Sequence, residues 1–208
     1  MNSTLKIDTI IVGEFFTNCY LVSNGRQAFL IDPGEEPDRI LEMIKLNNVI
    51  VDKIILTHGH IDHIGAIPEI KAATDAKVLI HPGDAGMLTD AKANLSIYHS
   101  EPFSIEAADG FLNENDIVEI GDSKLTVICT PGHTPGGISL RGDGLVFTGD
   151  ALFFGSIGRS DLAGGNHEQL LRSIKEKLLI LPDDTRVFPG HGPETTIGNE
   201  KFANPWLT

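Results

Sequence analysis

The sequence predicts an α/β protein, and two observations support this prediction. Short apolar runs rich in Val, Ile, Thr and Phe alternate along the 208 residues with longer segments of helical periodicity. Glycine (22 residues) and proline (11 residues) separate these segments, as they do at turns between strands and helices. We therefore expect strands that form sheets and helices that cover them.

The candidate strands are short runs of β-branched and aromatic residues bounded by Gly, Pro, Asn or Asp. They span residues 10–12, 19–23, 28–31, 53–57, 77–80, 117–120, 124–130, 137–141, 144–148 and 185–188. Cys19 and Cys129 lie in two of these runs, and we expect both to be buried, reduced thiols rather than a disulfide.

The candidate helices span residues 37–47, 66–74, 84–90 and 167–179. The last carries leucines and an isoleucine in one stripe of period 3.6, and Pro182 follows its end. Residues 91–110 and 153–166 are predicted to be long loops, which in compact domains commonly form lids or binding loops. Tyr98 and Phe103 in the first loop are candidates for one wall of a binding groove.

Composition favours one domain over residues 1–208, because no linker or low-complexity segment divides the chain. The 29 acidic and 16 basic side chains give a net charge of −13, which argues against nucleic acid and anionic membrane surfaces as partners. No apolar run approaches the roughly 20 residues of a membrane span, and no signal peptide is visible, so we expect a cytoplasmic protein. No pattern predicts an oligomeric state.

The densest chemical signal is the segment His58-Gly59-His60-Ile61-Asp62-His63. It follows an apolar strand, and two residues that lie two apart on an extended chain project to the same side. Asp62 and His63 fall at the start of the next helix and point in another direction. One segment therefore offers two imidazoles to one metal ion, and a carboxylate and an imidazole to a second.

Three further metal-type side chains each follow an apolar strand and a glycine: His133, Asp150 and His191. Active sites of layered α/β proteins lie at the carboxyl ends of strands, so we expect all of these groups at one locus. His58, His60 and His133 can then hold one cation, Asp62, His63 and His191 another, and Asp150 can bridge the two.

Nitrogen and carboxylate ligands without thiolate favour two divalent ions, with zinc first and iron or manganese as alternatives. Water between such ions ionises near neutral pH, because coordination lowers its pKa from 15.7 to about 7. We expect this hydroxide to be the nucleophile.

These residues resemble the metallo-β-lactamase superfamily, whose His-x-His-x-Asp-His signature is present at residues 58–63, followed by His133, Asp150 and His191. The resemblance implies a four-layer αβ/βα sandwich with a dinuclear site on its rim. Local motifs are most similar to small single-domain members of the glyoxalase II (hydroxyacylglutathione hydrolase) branch. Those motifs are Gly149-Asp150-Ala151-Leu152-Phe153, Gly158-Arg159-Ser160-Asp161, residues 189–198, and Asn204-Pro205-Trp206-Leu207.

The resemblance implies hydrolysis of a small-molecule thioester such as S-D-lactoylglutathione, with the hydroxide oriented by Asp62 or Asp150 as catalytic carboxylates. Larger glyoxalase II enzymes carry a C-terminal helical domain that binds glutathione, and we expect none here because the chain ends 17 residues after His191. Arg159 is a candidate for binding a substrate carboxylate. An ion pair with Asp161 is the favoured alternative for Arg159.

Three other functions stay open. Persulfide dioxygenases share the signature and a Gly-x-Gly-Arg-x-Asp stretch like that at Gly155–Asp161. They use one iron at the positions of His58, His133 and Asp150. A lactamase is less favoured, because the best-known lactamases have Cys at an equivalent metal position. A metal-binding module without catalysis is the third, and the intact ligand set argues against it.

Overall fold

The computed structural model describes residues 5–98 and 101–207 and contains two six-stranded sheets. The strands of the first sheet are β1 (Lys6–Val12), β2 (Thr17–Asn24), β3 (Gln27–Ile31), β4 (Ile50–Ile55), β5 (Lys77–Ile80) and β6 (Gly110–Phe111), in this order. The pairs β1–β2 and β2–β3 are antiparallel, and the pairs from β3 to β6 are parallel.

Three helices belong to the first half of the chain: α1 (Pro37–Asn47), α2 (Ile61–Ile64) and α3 (Ile67–Thr74). Helix α1 has the predicted bounds, with proline at its first turn and Asn48 in the left-handed conformation at its end. Its buried residues, Ile40 and Ile44, are four apart and face the sheet. Parallel strands require such crossover connections, which explains the positions of α1 and α3.

The second sheet has the order β14-β13-β10-β9-β8-β7. Its strands are β7 (Ile117–Ile120), β8 (Ser123–Cys129), β9 (Ile138–Gly142), β10 (Leu145–Gly149), β13 (Arg186–Pro189) and β14 (Thr195–Thr196), and a separate hairpin consists of β11 (Leu152–Phe153) and β12 (Ser156–Ile157). The second half also contains α4 (His167–Ser173) and α5 (Ile197–Ala203).

Three apolar clusters show how the layers stack. The inner one joins the facing sides of the two sheets and includes Phe29 and Ile31 of β3 and Phe147 of β10. A second lies between the first sheet and helices α1 and α3, and a third between the second sheet and α4 and α5. Leu30, between Phe29 and Ile31, faces the helices, as strand alternation requires. The molecule is a helix–sheet–sheet–helix sandwich.

Two helix predictions were wrong in detail. Residues 84–90 form only a short 3₁₀ helix, Ala85–Leu88. The segment predicted as one helix over residues 167–179 is α4 followed by a π-helical turn, Ile174–Leu178, in which the Leu179 amide donates to the Ile174 carbonyl. This wider turn keeps the fully buried Leu170, Ile174 and Leu178 on one face.

The two predicted loops contain structure. Residues 91–110 include a 3₁₀ turn, Ser96–Tyr98, and reach β6, while residues 99 and 100 lie outside the described part. Residues 153–166 begin inside the β11–β12 hairpin. Strands β6 and β14 and helix α5 were not predicted. No helix in residues 5–98 or 101–207 has the length and apolar character to cross a lipid bilayer.

Replacing Phe147 with Ala should destabilise the sandwich strongly. Its buried ring packs edge-on against Tyr20 and beside Phe188, at centroid distances of 5.1 and 5.0 Å. We expect Phe147→Ala to lower the free energy of unfolding by about 3–5 kcal/mol in urea titrations. The control Phe202→Ala, at a position 79% exposed, should change it by less than about 0.5 kcal/mol. Equal losses in the two variants would contradict this account of the core.

Candidate metal centre

The seven predicted ligands meet at one edge of the sandwich, where the two sheets adjoin. His58, His60, Asp62 and His63 follow β4 of the first sheet, while His133, Asp150 and His191 follow β8, β10 and β13 of the second. Their ligand atoms form groups within 4.8 Å of one another. We call His58, His60 and His133 the first cluster and Asp62, His63 and His191 the second cluster.

The first cluster is buried. His60 Nδ1 lies 3.0 Å from His133 Nε2, and the ring of His58 lies 4.8 Å from each of the other two rings. Nε2 of His58 is buried and has no hydrogen-bond partner among the described residues. An unpaired buried polar atom costs roughly 1–3 kcal/mol, so this nitrogen fits the site of a bound cation.

The second cluster is more open to solvent. Nε2 of His191 lies 3.3 Å from both Asp62 Oδ2 and His63 Nε2, and His63 Nε2 lies 3.5 Å from Asp62 Oδ2. His63 is fully buried, whereas Asp62 and His191 are partly exposed. The sequence predicted this group from Asp62 and His63 at the start of a helix, and both residues lie in α2.

Asp150 lies between the two clusters. Its Oδ2 is 3.6 Å from His133 Nε2 in the first cluster and 3.5 Å from His191 Nε2 in the second. Its Oδ1 is 3.5 Å from His63 Nε2 and is buried without a hydrogen-bond partner among the described residues. This placement is the one expected of a bridging carboxylate.

Oxygen acceptors set the orientation of three imidazoles. Nδ1 of His63 is 2.9 Å from Asp32 Oδ2, Nδ1 of His133 is 2.6 Å from the Arg159 carbonyl, and Nδ1 of His191 is 3.0 Å from the Phe15 carbonyl. A proton on each Nδ1 leaves the Nε2 lone pair free, and each Nε2 points to the shared centre. Metal-binding histidines in proteins have this arrangement.

Electrostatics divides the site into two halves. Burial and the neighbouring His133 lower the pKa of His60 to about 3, so its imidazole is neutral at pH 7 and offers a lone pair. Burial alone would lower the pKa of His63, but the carboxylates of Asp62, Asp32 and Asp150 raise it to about 9. Positive charge is therefore drawn to the second cluster, where a divalent cation competes with protons.

The donor set fits divalent metal ions. Five imidazoles and two carboxylates, with no thiolate, suit zinc, iron and manganese. Three of the imidazoles have the tautomer that metal binding requires, and buried atoms of His58 and Asp150 lack other partners. The assignment of individual residues as ligands stays a prediction from the sequence.

Asp32 contacts the predicted ligand His63, and the sequence analysis did not identify it. It is buried, and its carboxylate accepts hydrogen bonds from the amide and hydroxyl of Thr57 as well as facing His63. Its φ of +50° is a left-handed conformation, which Asp tolerates better than most residues. The available signal was that its strand, like β10, ends in an aspartate.

Strand β2 fixes the loop that carries His191, although it belongs to the other sheet. The Asn18 side chain donates to the carbonyls of Pro189 (2.9 Å) and Gly192 (2.8 Å), and the Asn18 amide donates to the Gly190 carbonyl. The Thr17 hydroxyl donates to Asp62 Oδ2 at 3.1 Å. Both residues are buried, and no pattern in the sequence indicated these contacts.

Asp84 connects two of the ligand-bearing loops. Its fully buried carboxylate accepts from the Thr134 hydroxyl and the Gly136 amide, both at 2.6 Å, and from the Gly59 amide. Burial raises the pKa of Asp84 despite these hydrogen bonds. Because Gly59 separates His58 from His60 and Thr134 follows His133, Asp84 holds the backbone of the first cluster in register.

Gly190 lies directly against the side chains of two predicted ligands. A Cβ at this position would lie 2.2 Å from Asp150 Oδ1 and 3.0 Å from His63 Cε1, so no larger residue fits without moving a ligand. Gly149 has a φ of +48°, and a Cβ there would lie 2.4 Å from the Thr57 hydroxyl oxygen. The glycines before Asp150 and His191 are therefore required by space.

Two other predicted residues have defined positions. Arg159 forms a bidentate ion pair with Asp161, with both nitrogen–oxygen distances 3.0 Å, which is the alternative that the sequence analysis favoured. Cys129 is partly buried, contacts Glu114 and is absent from the clusters. Burial and Glu114 raise the pKa of the Cys129 thiol to about 11, so it is mostly protonated at neutral pH.

A sandwich with this site defines a class of metal-dependent proteins. The chain belongs to the Metallo-beta-lactamase superfamily, whose family model matches residues 12–191. It is similar to the probable metallo-hydrolase YqgX of Bacillus subtilis (strain 168), with 41% identity over 199 residues that cover 94% of each chain. It is also similar to the hydroxyacylglutathione hydrolase GloC of Haemophilus influenzae, with 34% identity over 212 residues and 98% of both chains covered.

Solved structures share the fold. The BLEG-1 B3 metallo-beta-lactamase has 38% identity and a TM-score of 0.93, covering 98% of this chain and 100% of that one. TTHA1623 in a di-iron-bound form has 36% identity and a TM-score of 0.85, with 96% and 100% covered. ETHE1 from Myxococcus xanthus has 33% identity and a TM-score of 0.79, with 96% and 83% covered.

Removing divalent ions should lower thermal stability, because the ligands come from both sheets. After chelation and desalting, we expect the Tm to fall by roughly 10 °C, since saturating metal stabilises by about 3–4 kcal/mol. Added Zn²⁺ should restore it, and His133→Ala should respond less to both treatments. Elemental analysis must show that metal removal is complete. If the Tm is then unchanged, this result would contradict the metal centre.

Asp84→Asn should weaken metal binding without unfolding the chain. In asparagine, an NH₂ group replaces one carboxylate oxygen and faces the hydrogen-bond donors that the carboxylate accepted from. The loops of the first cluster then lose the hydrogen bonds that align them. We expect affinity for Zn²⁺, measured by competition with a chromogenic chelator, to fall about 10-fold or more. The control Asp52→Asn, at an exposed side chain, should leave it unchanged. Equal affinities for both variants would remove this role from Asp84.

Proposed function

We propose that the chain is a metal-dependent hydrolase that cleaves small-molecule thioesters, S-D-lactoylglutathione or a related acyl-thiol. The observation that carries the proposal is the set of imidazoles with Nδ1 bound to oxygen and Nε2 turned to a common centre beside Asp150. The similarity to GloC supports the thioester class. Two zinc ions are proposed as the native metals, with iron or manganese as alternatives.

The reaction adds water to the thioester carbonyl, forms a carbon–oxygen bond and breaks the carbon–sulfur bond, giving a carboxylic acid and a thiol. When bound, the two ions would lower the pKa of water and polarise the carbonyl. The protein holds them through the two clusters. Asp150 and Asp62 are the proposed carboxylates that orient the attacking water and receive its proton.

The leaving group favours a thioester over an amide. A thiol has a pKa of about 8.5, so it departs as the thiolate without a strong proton donor. An amide nitrogen needs a donor, and the cavity over the clusters offers only Tyr98, Arg159 and the imidazoles among its described side chains. Arg159 is held by Asp161 and stays charged, which makes it a poor acid.

We place this activity in the cytosol. Both cysteines are free, which fits a reducing compartment. The substrate is proposed to be a small molecule because the ligands lie in a cavity of about 550 Å³, a size typical of small-molecule sites.

A single-iron persulfide dioxygenase is the second candidate, and the similarity to ETHE1 supports it. That reaction needs only His58, His133 and Asp150 as ligands. The second cluster is as compact as the first, and the similar TTHA1623 structure holds two irons, so two ions are favoured here.

Lactam hydrolysis is the third candidate, because BLEG-1 carries the lactamase name at 38% identity. It differs from thioester hydrolysis in breaking a carbon–nitrogen bond. The two reactions use the same centre, so substrate assays must separate them.

One experiment separates the three candidates. The purified protein is loaded with Zn²⁺ or Fe²⁺, its metal is counted by elemental analysis, and each form is assayed with S-D-lactoylglutathione, a panel of other acyl thioesters, a chromogenic cephalosporin, and glutathione persulfide with oxygen uptake. Two ions with thioester hydrolysis as the fastest reaction support the proposal. One iron with oxygen uptake, or faster cephalosporin cleavage, would replace it.

His133→Ala and Asp150→Ala should each lower thioester kcat/KM by roughly 1,000-fold or more, because each removes a group at the centre of charge stabilisation. The control His167→Ala, an exposed helix-start residue that pairs with Ser160, should stay within about twofold of the parent. Activity retained by either of the first two variants, with parental metal content, would contradict the assigned roles.

A further inference from the structure

The cavity over the metal centre has apolar walls. It contains ligands from both clusters, so a substrate that reaches the centre must pass these walls. We call Leu95 and Tyr98 the first wall, and Phe15, Phe153 and Ile157 the second wall.

The segment that carries the first wall buries polar side chains and exposes apolar ones. Asn94 and Ser96 are completely buried, whereas Ile97 and Tyr98 are 40% and 79% exposed. Of the two exposed side chains, that of Tyr98 lines the cavity. Such an exposed apolar surface beside a site indicates binding.

Hydrogen bonds hold this segment in place. The Asn94 side chain donates to the Phe103 carbonyl at 3.0 Å, and the Asn94 carbonyl accepts from the Ile61 amide at the start of α2. The Ser96 hydroxyl donates to the Phe103 carbonyl at 2.9 Å and accepts from the Phe103 amide. The apolar wall is therefore fixed to the helix that carries Asp62 and His63.

Leu95 is strained. Its φ of +70° is a left-handed conformation, in which the Cβ of a non-glycine residue lies too close to the following carbonyl oxygen. Strained backbone persists where the surroundings impose it, and it concentrates at functional sites. The strain turns Leu95 toward the cavity while its neighbours, Asn94 and Ser96, stay buried.

The second wall is also held in place by hydrogen bonds. The Phe15 carbonyl is the hydrogen-bond partner of His191, although half of this residue's surface is exposed. Phe153 and Ile157 belong to the β11–β12 hairpin, whose turn is fixed by a 2.9 Å hydrogen bond from the Gly155 amide to the buried carboxylate of Glu200. Both walls are thus set in position before a ligand arrives.

Charge argues against an anionic acyl group. Arg159 is the one Lys or Arg among the described residues of the cavity, and Asp161 already occupies its guanidinium. Outside the proposed metal centre, a carboxylate on the acyl chain would therefore meet no free cation on the cavity walls. It would instead lose water against apolar side chains, which is unfavourable for a charged group.

We infer that this cavity selects thioesters with an apolar acyl group, of medium-chain or aryl type, over short or anionic ones. This inference rests on the proposed thioester hydrolysis and narrows its substrates from the short lactoyl thioester to related acyl-thiols with a larger apolar acyl group. Leu95 and Tyr98 are the specificity-determining residues of the first wall. They contact the acyl chain, while the two clusters hold the reacting centre.

The test uses thioesters of one uncharged thiol, N-acetylcysteamine, that differ only in the acyl group: acetyl, hexanoyl and succinyl. Thiol release by the zinc-loaded protein gives kcat and KM. We expect kcat/KM to be at least about 10-fold higher for hexanoyl than for acetyl, mainly through KM, and lowest for succinyl. In Leu95→Asn the hexanoyl-to-acetyl ratio should fall at least about threefold.

Asparagine tolerates the left-handed conformation, so Leu95→Asn changes polarity without adding strain. Tyr98→Ala, at an exposed position, is the second variant and should lower the ratio in the same direction. The matched control is Leu46→Asn on α1, where the leucine is 78% exposed and remote from the cavity. Its ratio should equal that of the parent.

The outcomes separate the two levels of the proposal. If no thioester is hydrolysed, the proposed function itself fails. If the thioesters are hydrolysed with equal kcat/KM, if succinyl is preferred, or if Leu95→Asn and Leu46→Asn behave alike, the apolar specificity is overturned and thioester hydrolysis stands.

Discussion

The structure depends on one physical constraint: five imidazoles and two carboxylates share a small volume at the edge of the sandwich where the two sheets adjoin. Removed from water, these groups repel one another or remain unpaired unless positive charge lies between them. Cations resolve the conflict, because nitrogen lone pairs and carboxylate oxygens then face a common partner. Buried atoms of His58 and Asp150 have no hydrogen-bond partner among the described side chains, so they are suited to face a cation.

The same constraint explains why so much polar structure surrounds the site. Asp32 and two backbone carbonyls fix the histidine tautomers, and Asp84 and Asn18 fix the loops. Backbone hydrogen bonds also connect the two halves of the sandwich. The Asn18 amide donates to the Gly190 carbonyl, and the Ile138 amide donates to the Thr57 carbonyl. The arrangement of the candidate ligands therefore depends on how the two sheets pack against each other.

The sequence predicted where the seven candidate ligands gather better than it predicted the elements around them. The ligands follow strands at regular turns, so local pattern alone located them. Asp32, Asp84 and Asn18 escaped because their roles are contacts with residues distant along the chain, which no local pattern encodes. Helix α5 and strands β6 and β14 escaped because they are short and depend on tertiary packing. Within the 84–90 segment, apolar periodicity suggested a helix where the buried Asp84 carboxylate instead joins two loops.

The central claim is that the two clusters hold two ions with Asp150 between them. Anomalous diffraction from crystals of the zinc-loaded protein, measured at the zinc absorption edge, tests it most directly. The account predicts two peaks, one inside each cluster and both in contact with Asp150. A single peak at His58, His133 and Asp150, with no density inside the second cluster, would contradict it.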